Sequence, residues 1–478
     1  MNGPAPSLPD ASRHDALPAA AVAAIAGHRA LLLIDLDETL YLRSSTEDYL
    51  DCARPRRVAA VLLQTLEVLK PWRWTGGIPT RDVWRLRAVQ LLLPWTGRRW
   101  RGLLQDHAAR HGNQPLIAAL ESSRSETVIT TLGFRDVVAP LVEALGFSSQ
   151  RLIACSGRSF DDRRRGKLAM AVEALGADAV QRSLVLSDSL DDLPLLDACA
   201  RPLRTRWPQA RYRAAQAGVY LPGRYLSRVK HPGQRYVLRG ILQEDFAFWL
   251  IASIALAATP LSHVLGLLLL LMSFWTIYEQ GYVDNDRMAV RHEAEPKLSA
   301  EFHEAEVATP ALEPWLWAVG FGAAALLLLR WPALPSPTDA LLWATVLLAT
   351  LGWFRLYNRQ DKATRVWLFP GLQFARSAAF TVLVPVAPVA VLALGAHVLA
   401  RWLPYYLYRY GGSGWPEVPL PLIRLLFFTV LVLLAITSGS SAMIDGTALA
   451  LLAWNLYRAR RELSAVIANA HRIDRRAP

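Results

Sequence analysis

The chain has 478 residues, 53% of them hydrophobic, with 52 Lys and Arg against 40 Asp and Glu and a formal net charge of +12. That length gives room for two or three domains and excludes a single small module, and three cysteines (Cys52, Cys155 and Cys199) without paired metal spacing exclude a disulfide framework and fit a reducing compartment. The basic excess reads as membrane-proximal surface, and no nucleic-acid partner is expected because no binding motif accompanies it.

Residues 1–29 are rich in Ala and Pro without the basic start and long apolar core of a signal peptide, and are expected to form a flexible leader. A domain over 30–215 follows. The apolar run Leu31-Leu32-Leu33-Ile34 reads as a buried strand ending in Asp35-Leu36-Asp37-Glu38-Thr39, which places two carboxylates where both can reach one metal and one phosphate. An insert of about 41–125 has helix-period patterns, such as Val58-Leu62-Leu66-Leu69 and Trp84-Leu91-Leu92. It carries roughly twice as many basic as acidic residues, with Trp72, Trp74, Trp84, Trp95 and Trp100 among them. Arg98, Arg99 and Arg101 around Trp100 suit an anionic lipid or an anionic substrate.

A second strand at Val128-Ile129-Thr130 precedes Thr131-Leu132-Gly133-Phe134; Lys167 follows a polar stretch at the start of a helix over Leu168–Leu175; a third strand at Leu184-Val185-Leu186 leads into Asp188 and Asp192. These four segments, in this order, resemble the motifs of the haloacid dehalogenase (HAD) superfamily, and the insert resembles its helical cap. The resemblance implies a Rossmann-like α/β fold and a Mg²⁺-dependent phosphohydrolase acting on a phosphorylated small molecule. It makes Asp35 the nucleophile, Asp37 the general acid/base, Thr131 the phosphoryl hydrogen-bond donor with Thr130 as the neighbouring alternative, and Lys167 the neutralising cation. Asp35, Asp37 and Asp188 would hold the metal, with Asp192 supporting Asp188. The chemistry requires such residues, because an anionic phosphate ester repels a nucleophile until cations offset its charge. Oxygen ligands select a hard ion.

Residues 216–240 read as a linker, and 241–478 as an all-α membrane domain. Apolar runs at about 244–259, 261–279, 313–331, 338–356, 374–387, 388–408, 419–437 and 441–458 predict eight transmembrane helices. Pro385 and Pro388 mark either a reversal between two spans or a kink in one. Basic residues occupy alternate connections: Arg287, Arg291 and Lys297; Arg355, Arg359, Lys362 and Arg365; Arg401 and Arg409; and Arg458 through Arg476. The positive-inside rule then favours eight spans with the phosphatase-like domain and both termini in the cytoplasm, in the inner membrane of a bacterium.

The end of the second span contains Asn285, Asp286 and Glu293, with acids at a membrane face and Asp286 and Glu293 one heptad apart on a shared helix face. This resembles the first Asp-rich motif of the UbiA prenyltransferase superfamily, with Ala289 where the middle Asp would be. Lys362 and Arg365 resemble the basic loop of that family. The resemblance implies that Asp286 binds Mg²⁺ and that Asn285, Asp286, Glu293, Lys362 and Arg365 meet a diphosphate. Tyr405 to Gly412, where a second Asp-rich motif is expected, contains no acid. The combined expectation is a bifunctional membrane enzyme that transfers a prenyl group or polyprenyl phosphate and removes a phosphate, with an isoprenoid lipid as partner. The alternatives are a membrane-anchored phosphatase with a non-catalytic membrane half, and a transporter or lipid-binding scaffold with Glu279 and Asp286 along a cation path.

Overall fold

The computed structural model describes residues 11–293, 296–304, 312–411, 418–440 and 443–470. The first part of the expected leader, Gly412, and the C-terminal Arg472, Arg475 and Arg476 lie outside these residues. The chain divides into two compact units at Val219 and Tyr220.

The first unit is built on a parallel five-stranded sheet of β1 (Leu32–Asp35), β2 (Thr127–Phe134), β3 (Leu152–Cys155), β4 (Leu184–Ser187) and β5 (Arg201–Arg204), in the order β3-β2-β1-β4-β5. β1 is buried along its whole length because helices cover both faces of a parallel sheet. Its side chains alternate between two cores. Leu32 and Ile34 pack with Ile129, Leu184 and Leu186 on one side, whereas Leu33 packs with Val128, Val185, Ala171 and Leu196 on the other. The chain winds from β1 to β2 and β3 in one direction and to β4 and β5 in the other. A doubly wound sheet opens its ligand crevice at this reversal, beyond the carboxyl ends of the strands.

The insert after β1 folds as helices Ser45–Asp51, Arg56–Leu69, Arg81–Leu92, Thr96–His111 and Gln114–Ser122. Arg56–Leu69 does not turn Val58 and Leu69 inward as its periodicity suggests: both are exposed, and Ala59, Ala60 and Leu63 form the buried face. The apolar residues of this helix do favour one side, but the face that packs is the one bearing the small alanines, which permit closer packing. Trp72 and Trp100 are core residues, with Trp100 Nε1 donating to the Val137 carbonyl at 2.9 Å. Trp74 and Trp95 are exposed.

Two expected boundaries change. Pro18–Gly27 is a helix with Ala21 and Ile25 in the core, so this part of the chain is not a flexible leader. Its alanines give almost no amphipathic signal, which hides it from a periodicity reading. The expected linker over 216–240 is also structured. Gln216 is buried in the first unit, where its Nε2 donates to the Asp51 carbonyl at 2.9 Å, and Leu226–Lys230 and Val237–Phe246 are π-helical segments of the second.

The second unit is helical throughout its described residues. Among the described residues four helices are long and apolar enough to cross a membrane, Pro260–His292, Pro337–Arg359, Pro388–Tyr410 and Leu420–Thr437, in place of the eight expected. The run at 244–259 divides among a π segment, the helix Ala247–Ser253 and a 3₁₀ turn. The run at 313–331 gives the 17-residue helix Glu313–Leu329. The run at 374–387 catches only the end of Arg365–Ala378, and the one at 441–458 falls in Gly446–Ala468, which ends in charged residues. Hydropathy senses composition over a window and does not detect where a helix breaks. Pro385 to Pro388 separates two helices and does not kink one. Proline in the first turn opens each of the four, and Ser336 with Asp339 forms a capping box at the second.

Close helix approach depends on small residues. At Gly281 an added Cβ would lie 2.2 Å from Cγ of Phe354, while the Gly281 carbonyl accepts from Asn358 Nδ2 at 3.1 Å. Nothing lies within 4 Å of the corresponding position at Gly320. Gly281→Ala is expected to destabilise the second unit by about 1–3 kcal/mol through overpacking, and Gly320→Ala to leave it unchanged or slightly more stable. Thermal unfolding in detergent compares the two, and equal midpoints would reject this packing.

Candidate active site

The carboxyl ends of β1, β2 and β4 bring the motif residues of the first unit together. Asp35 closes β1, with its Oδ1 accepting from the Leu36 amide at 2.8 Å. The chain then doubles back: the Leu40 amide bonds to the Asp35 carbonyl at 3.3 Å, the Tyr41 amide to the Leu36 carbonyl at 2.8 Å, and Glu38 adopts φ +57°. This tight turn brings Asp37 over the strand end. Its Oδ1 accepts from the Ser45 amide at 2.5 Å and its Oδ2 from Thr131 Oγ1 at 3.2 Å. The pairing of β2 with β3 slips between Thr130 and Phe134. Within that irregular stretch Thr131 Oγ1 also accepts from the Gly133 amide at 2.8 Å. Both threonines are buried.

Lys167 comes from the helix Asp161–Leu175, which breaks at Gly166, where φ is +78°. Only glycine takes that conformation readily, and the break starts a new helical stretch at the lysine. Lys167 Nζ donates to Asp35 Oδ1 and to Asp192 Oδ2, each at 2.6 Å. Ser187, the last residue of β4, lies 3.2 Å from Asp35 Oδ2 and 2.5 Å from Asp192 Oδ2 through its hydroxyl. Asp188 follows it, accepting from Thr39 Oγ1 at 3.3 Å. All six residues expected at this site therefore converge. Ser187 and Thr39 complete it, and their signal was their position inside two of the motif segments.

The stretch before Lys167 is gripped by the insert. Arg163 donates to Asp82 Oδ2 at 2.5 Å, to the Pro79 carbonyl at 3.1 Å and to the Leu132 carbonyl beside the site at 2.6 Å. Arg87 Nε donates to the Gly157 carbonyl at 3.1 Å, and the Trp84 and Phe160 rings lie 5.9 Å apart.

Burial dominates the electrostatics. It pushes Asp35 well above the usual carboxylate range; Lys167 opposes that shift, and Asp192 and Asp188 reinforce it. Burial likewise raises Asp37, against its bonds from Ser45 and Thr131, and raises Asp188. Burial alone would lower the Lys167 ammonium, but Asp35 and Asp192 more than offset it and hold the lysine charged. One ammonium thus faces four carboxyl groups. Among the described residues no group of three His, Cys, Asp or Glu side chains is arranged around a metal position. Mg²⁺ needs only one or two carboxylates when waters and a substrate phosphate supply the rest. Asp35, which closes β1, and Asp188, which follows β4 at the same end of the sheet, fit that requirement, and Asp37 is taken up by Ser45 and Thr131.

The second unit separates the residues expected to act together there. Asp286 is buried, its Oδ1 accepting from Lys230 Nζ at 2.5 Å and from Asn285 Nδ2 at 3.4 Å, and its Oδ2 from Tyr225 at 2.6 Å. The helix stops at His292, and Glu293 is extended (φ −103°, ψ 132°), so the two acids do not share a helix face. Glu293 pairs instead with Arg365 at 3.2 Å and Lys362 at 3.3 Å, beside a cavity of about 390 Å³ also lined by His292, Asn358 and Arg359. Lys230 and Tyr225 were missed because they lie in the stretch read as a linker. Glu279 is fully buried and accepts from Tyr220 Oη at 2.8 Å and from the amides of Gly223 and Leu226, both at 3.0 Å.

Comparison with protein-family models, curated proteins and solved structures gives no match. The functional reading rests on the residues themselves.

Because burial raises Asp37, its ionisation costs folding free energy; the cost is absent below the unfolded-chain pKa and complete above the folded one. Asp37→Asn is therefore expected to raise the unfolding temperature near neutral pH and to leave it little changed in acid. Calorimetry of the full chain at two pH values measures this, and destabilisation at neutral pH would reject the sign.

Proposed function

We propose that the chain is a membrane-bound enzyme whose first unit hydrolyses a phosphate monoester through Asp35. The observation that carries this reading is the convergence of Asp35, Asp37, Lys167, Asp188 and Asp192 at the switch point of a parallel sheet. In this mechanism Lys167 offsets the charge of the phosphoryl oxygens, and the Thr131 hydroxyl turns from Asp37 to donate a hydrogen bond to them. An oxygen of Asp35 attacks phosphorus, forming an aspartyl-phosphate as the bond to the leaving alcohol breaks. Asp37 gives that alcohol its proton, then takes one from the water that attacks phosphorus and frees Asp35. Mg²⁺ held by Asp35 and Asp188 would supply further neutralisation of the phosphate. The raised Asp37 suits a group that must carry a proton in one step and accept it in the next.

For the second unit we propose UbiA-like handling of an isoprenoid lipid or polyprenyl phosphate. The cavity beside Glu293 supports it, with Arg359, Lys362 and Arg365 offering cationic groups to a diphosphate. A membrane half without catalysis is the second reading, favoured by Asp286, whose two oxygens are already occupied by Lys230, Asn285 and Tyr225. The charge pattern of the loops favours a cytoplasmic α/β unit. The exposed Trp74 and Trp95, with Arg98, Arg99 and Arg101, favour contact of the insert with anionic lipid.

Purified full-length protein with Mg²⁺ and a panel of phosphorylated metabolites and prenyl phosphates tests both halves. Asp35→Asn is expected to abolish phosphate release, and Lys167→Met to slow it at least about a hundredfold. Glu293→Gln with Arg365→Gln is expected to abolish a new lipid mass while sparing phosphate release. Release that survives Asp35→Asn would reject the hydrolase, and the absence of any lipid product would favour the second reading.

A further inference from the structure

The second unit contains a concentration of buried charge apart from the cavity beside Glu293. Arg376, Arg401, Arg424 and Arg458 gather around Glu244, Asp245 and His397. Arg376 and Asp245 form a neutral pair, with Arg376 Nε donating to the two carboxylate oxygens at 3.0 and 2.8 Å. Glu244 is shared between two cations, accepting from Arg424 Nη1 at 2.6 Å on one oxygen and from Arg458 on the other. Arg401 interacts with Asp245 and Glu244 only at longer range and makes no ion pair with either: its Nε points at His397 Nε2, 2.9 Å away. Four guanidinium groups are therefore set against two carboxylates.

Several donors of the cluster also lack acceptors, although Glu462 Oε2, one helical turn beyond Arg458, is itself shielded and unbonded. His397 is buried with Arg401 on one ring nitrogen and Arg424 Nη1 on the other, at 3.3 Å. A neutral imidazole accepts at one nitrogen only, so one guanidinium meets an N–H; a protonated ring accepts from neither and adds a fifth positive charge. Arg424 is 5% exposed, and its Nη2 is shielded without a hydrogen-bond partner among the described residues, as is Nε of Arg458. Asn455 is already used, accepting from Arg424 Nε at 2.8 Å and donating to the Leu451 carbonyl. Buried donors without acceptors are costly, and unpaired cations in a membrane-embedded bundle more so. Guanidinium forks match phosphate oxygens in shape as well as charge.

We propose that Arg401, Arg424 and Arg458, with His397, form a binding site for a phosphate monoester dianion. Two negative charges cancel the excess of two, and three terminal oxygens supply the missing acceptors. The ligand chemistry is shared by a lipid phosphate headgroup and by free phosphate. The inference requires neither activity proposed above.

Full-length protein in nanodiscs of phosphatidylcholine, probed with inorganic phosphate or with phosphatidic acid added to the bilayer, provides the test. Thermal unfolding and native mass spectrometry are the readouts. An upward shift and a bound mass with inorganic phosphate support a site for the free ion, and the same response to phosphatidic acid alone supports a lipid headgroup. Arg401→Gln is expected to weaken the effective probe at least about tenfold, the scale of losing one buried charge-assisted contact. His397→Asp places a carboxylate inside the cluster. It is expected to raise the unfolding temperature without a probe and to remove the probe-dependent shift, an outcome that a purely structural network does not produce. No response of the wild-type chain to either probe overturns the proposal. So does a shift of unchanged size in His397→Asp, because the phosphate then binds elsewhere.

Discussion

Asp35, Asp192 and Lys167 form the interaction on which the rest of the first unit depends. Carboxylates buried at the end of a parallel sheet are tolerated only if something charged and geometrically fixed sits between them. Lys167 fills that place with two bonds of 2.6 Å, and the sheet order makes it possible by setting β1 beside β4. The single ammonium does not balance the four acids around it. The unit therefore keeps an electrostatic deficit at the point where its strands open, which the proposed Mg²⁺ and substrate would meet.

Much of this arrangement was legible in the sequence because each part had a local signature. Short apolar runs ending in acids marked β1 and β4, and a polar stretch before a helix marked Lys167. The contacts that join them were not legible: the proximity of Ser187 to Asp35, or of Thr39 to Asp188, arises from strand order, which spacing along the chain does not encode. The helix Pro18–Gly27 escaped because an alanine-rich segment has no contrast between its faces. Val58 and Leu69 were turned the wrong way because the face of their helix that packs is the alanine-bearing one, and not the side on which the larger apolar residues gather.

The membrane half shows the opposite balance. Its apolar character was plain from composition, but the number of crossing helices was not, because π-helical and 3₁₀ segments interrupt runs that hydropathy treats as continuous. The heptad relation of Asp286 to Glu293 failed for a similar reason, since the helix ends one residue before the second acid. In both cases the decisive information lay in where backbone hydrogen bonding changes. Its apolar core is supplemented by buried polar ties: Glu279 secures three donors from residues 220–226, and Arg376 is bound to Asp245. Such groups read in a sequence as functional signals, although many of their bonds organise the fold.

The grip of the insert on the chain just ahead of Lys167 bears on selectivity. Arg163 and Arg87 tie that stretch to the insert, and Gly166 lets the helix restart immediately afterwards. The position of the insert and the placement of the lysine are thus separated by only a few residues of backbone. In the proposed hydrolase, a substrate that contacts the insert would help set the cation that its own phosphate needs. In the same proposed reaction, a small phosphorylated molecule that leaves the insert unengaged would meet a site whose charge is less well aligned, so discrimination among substrates would arise in the rate of the chemical step without a difference in how tightly they bind.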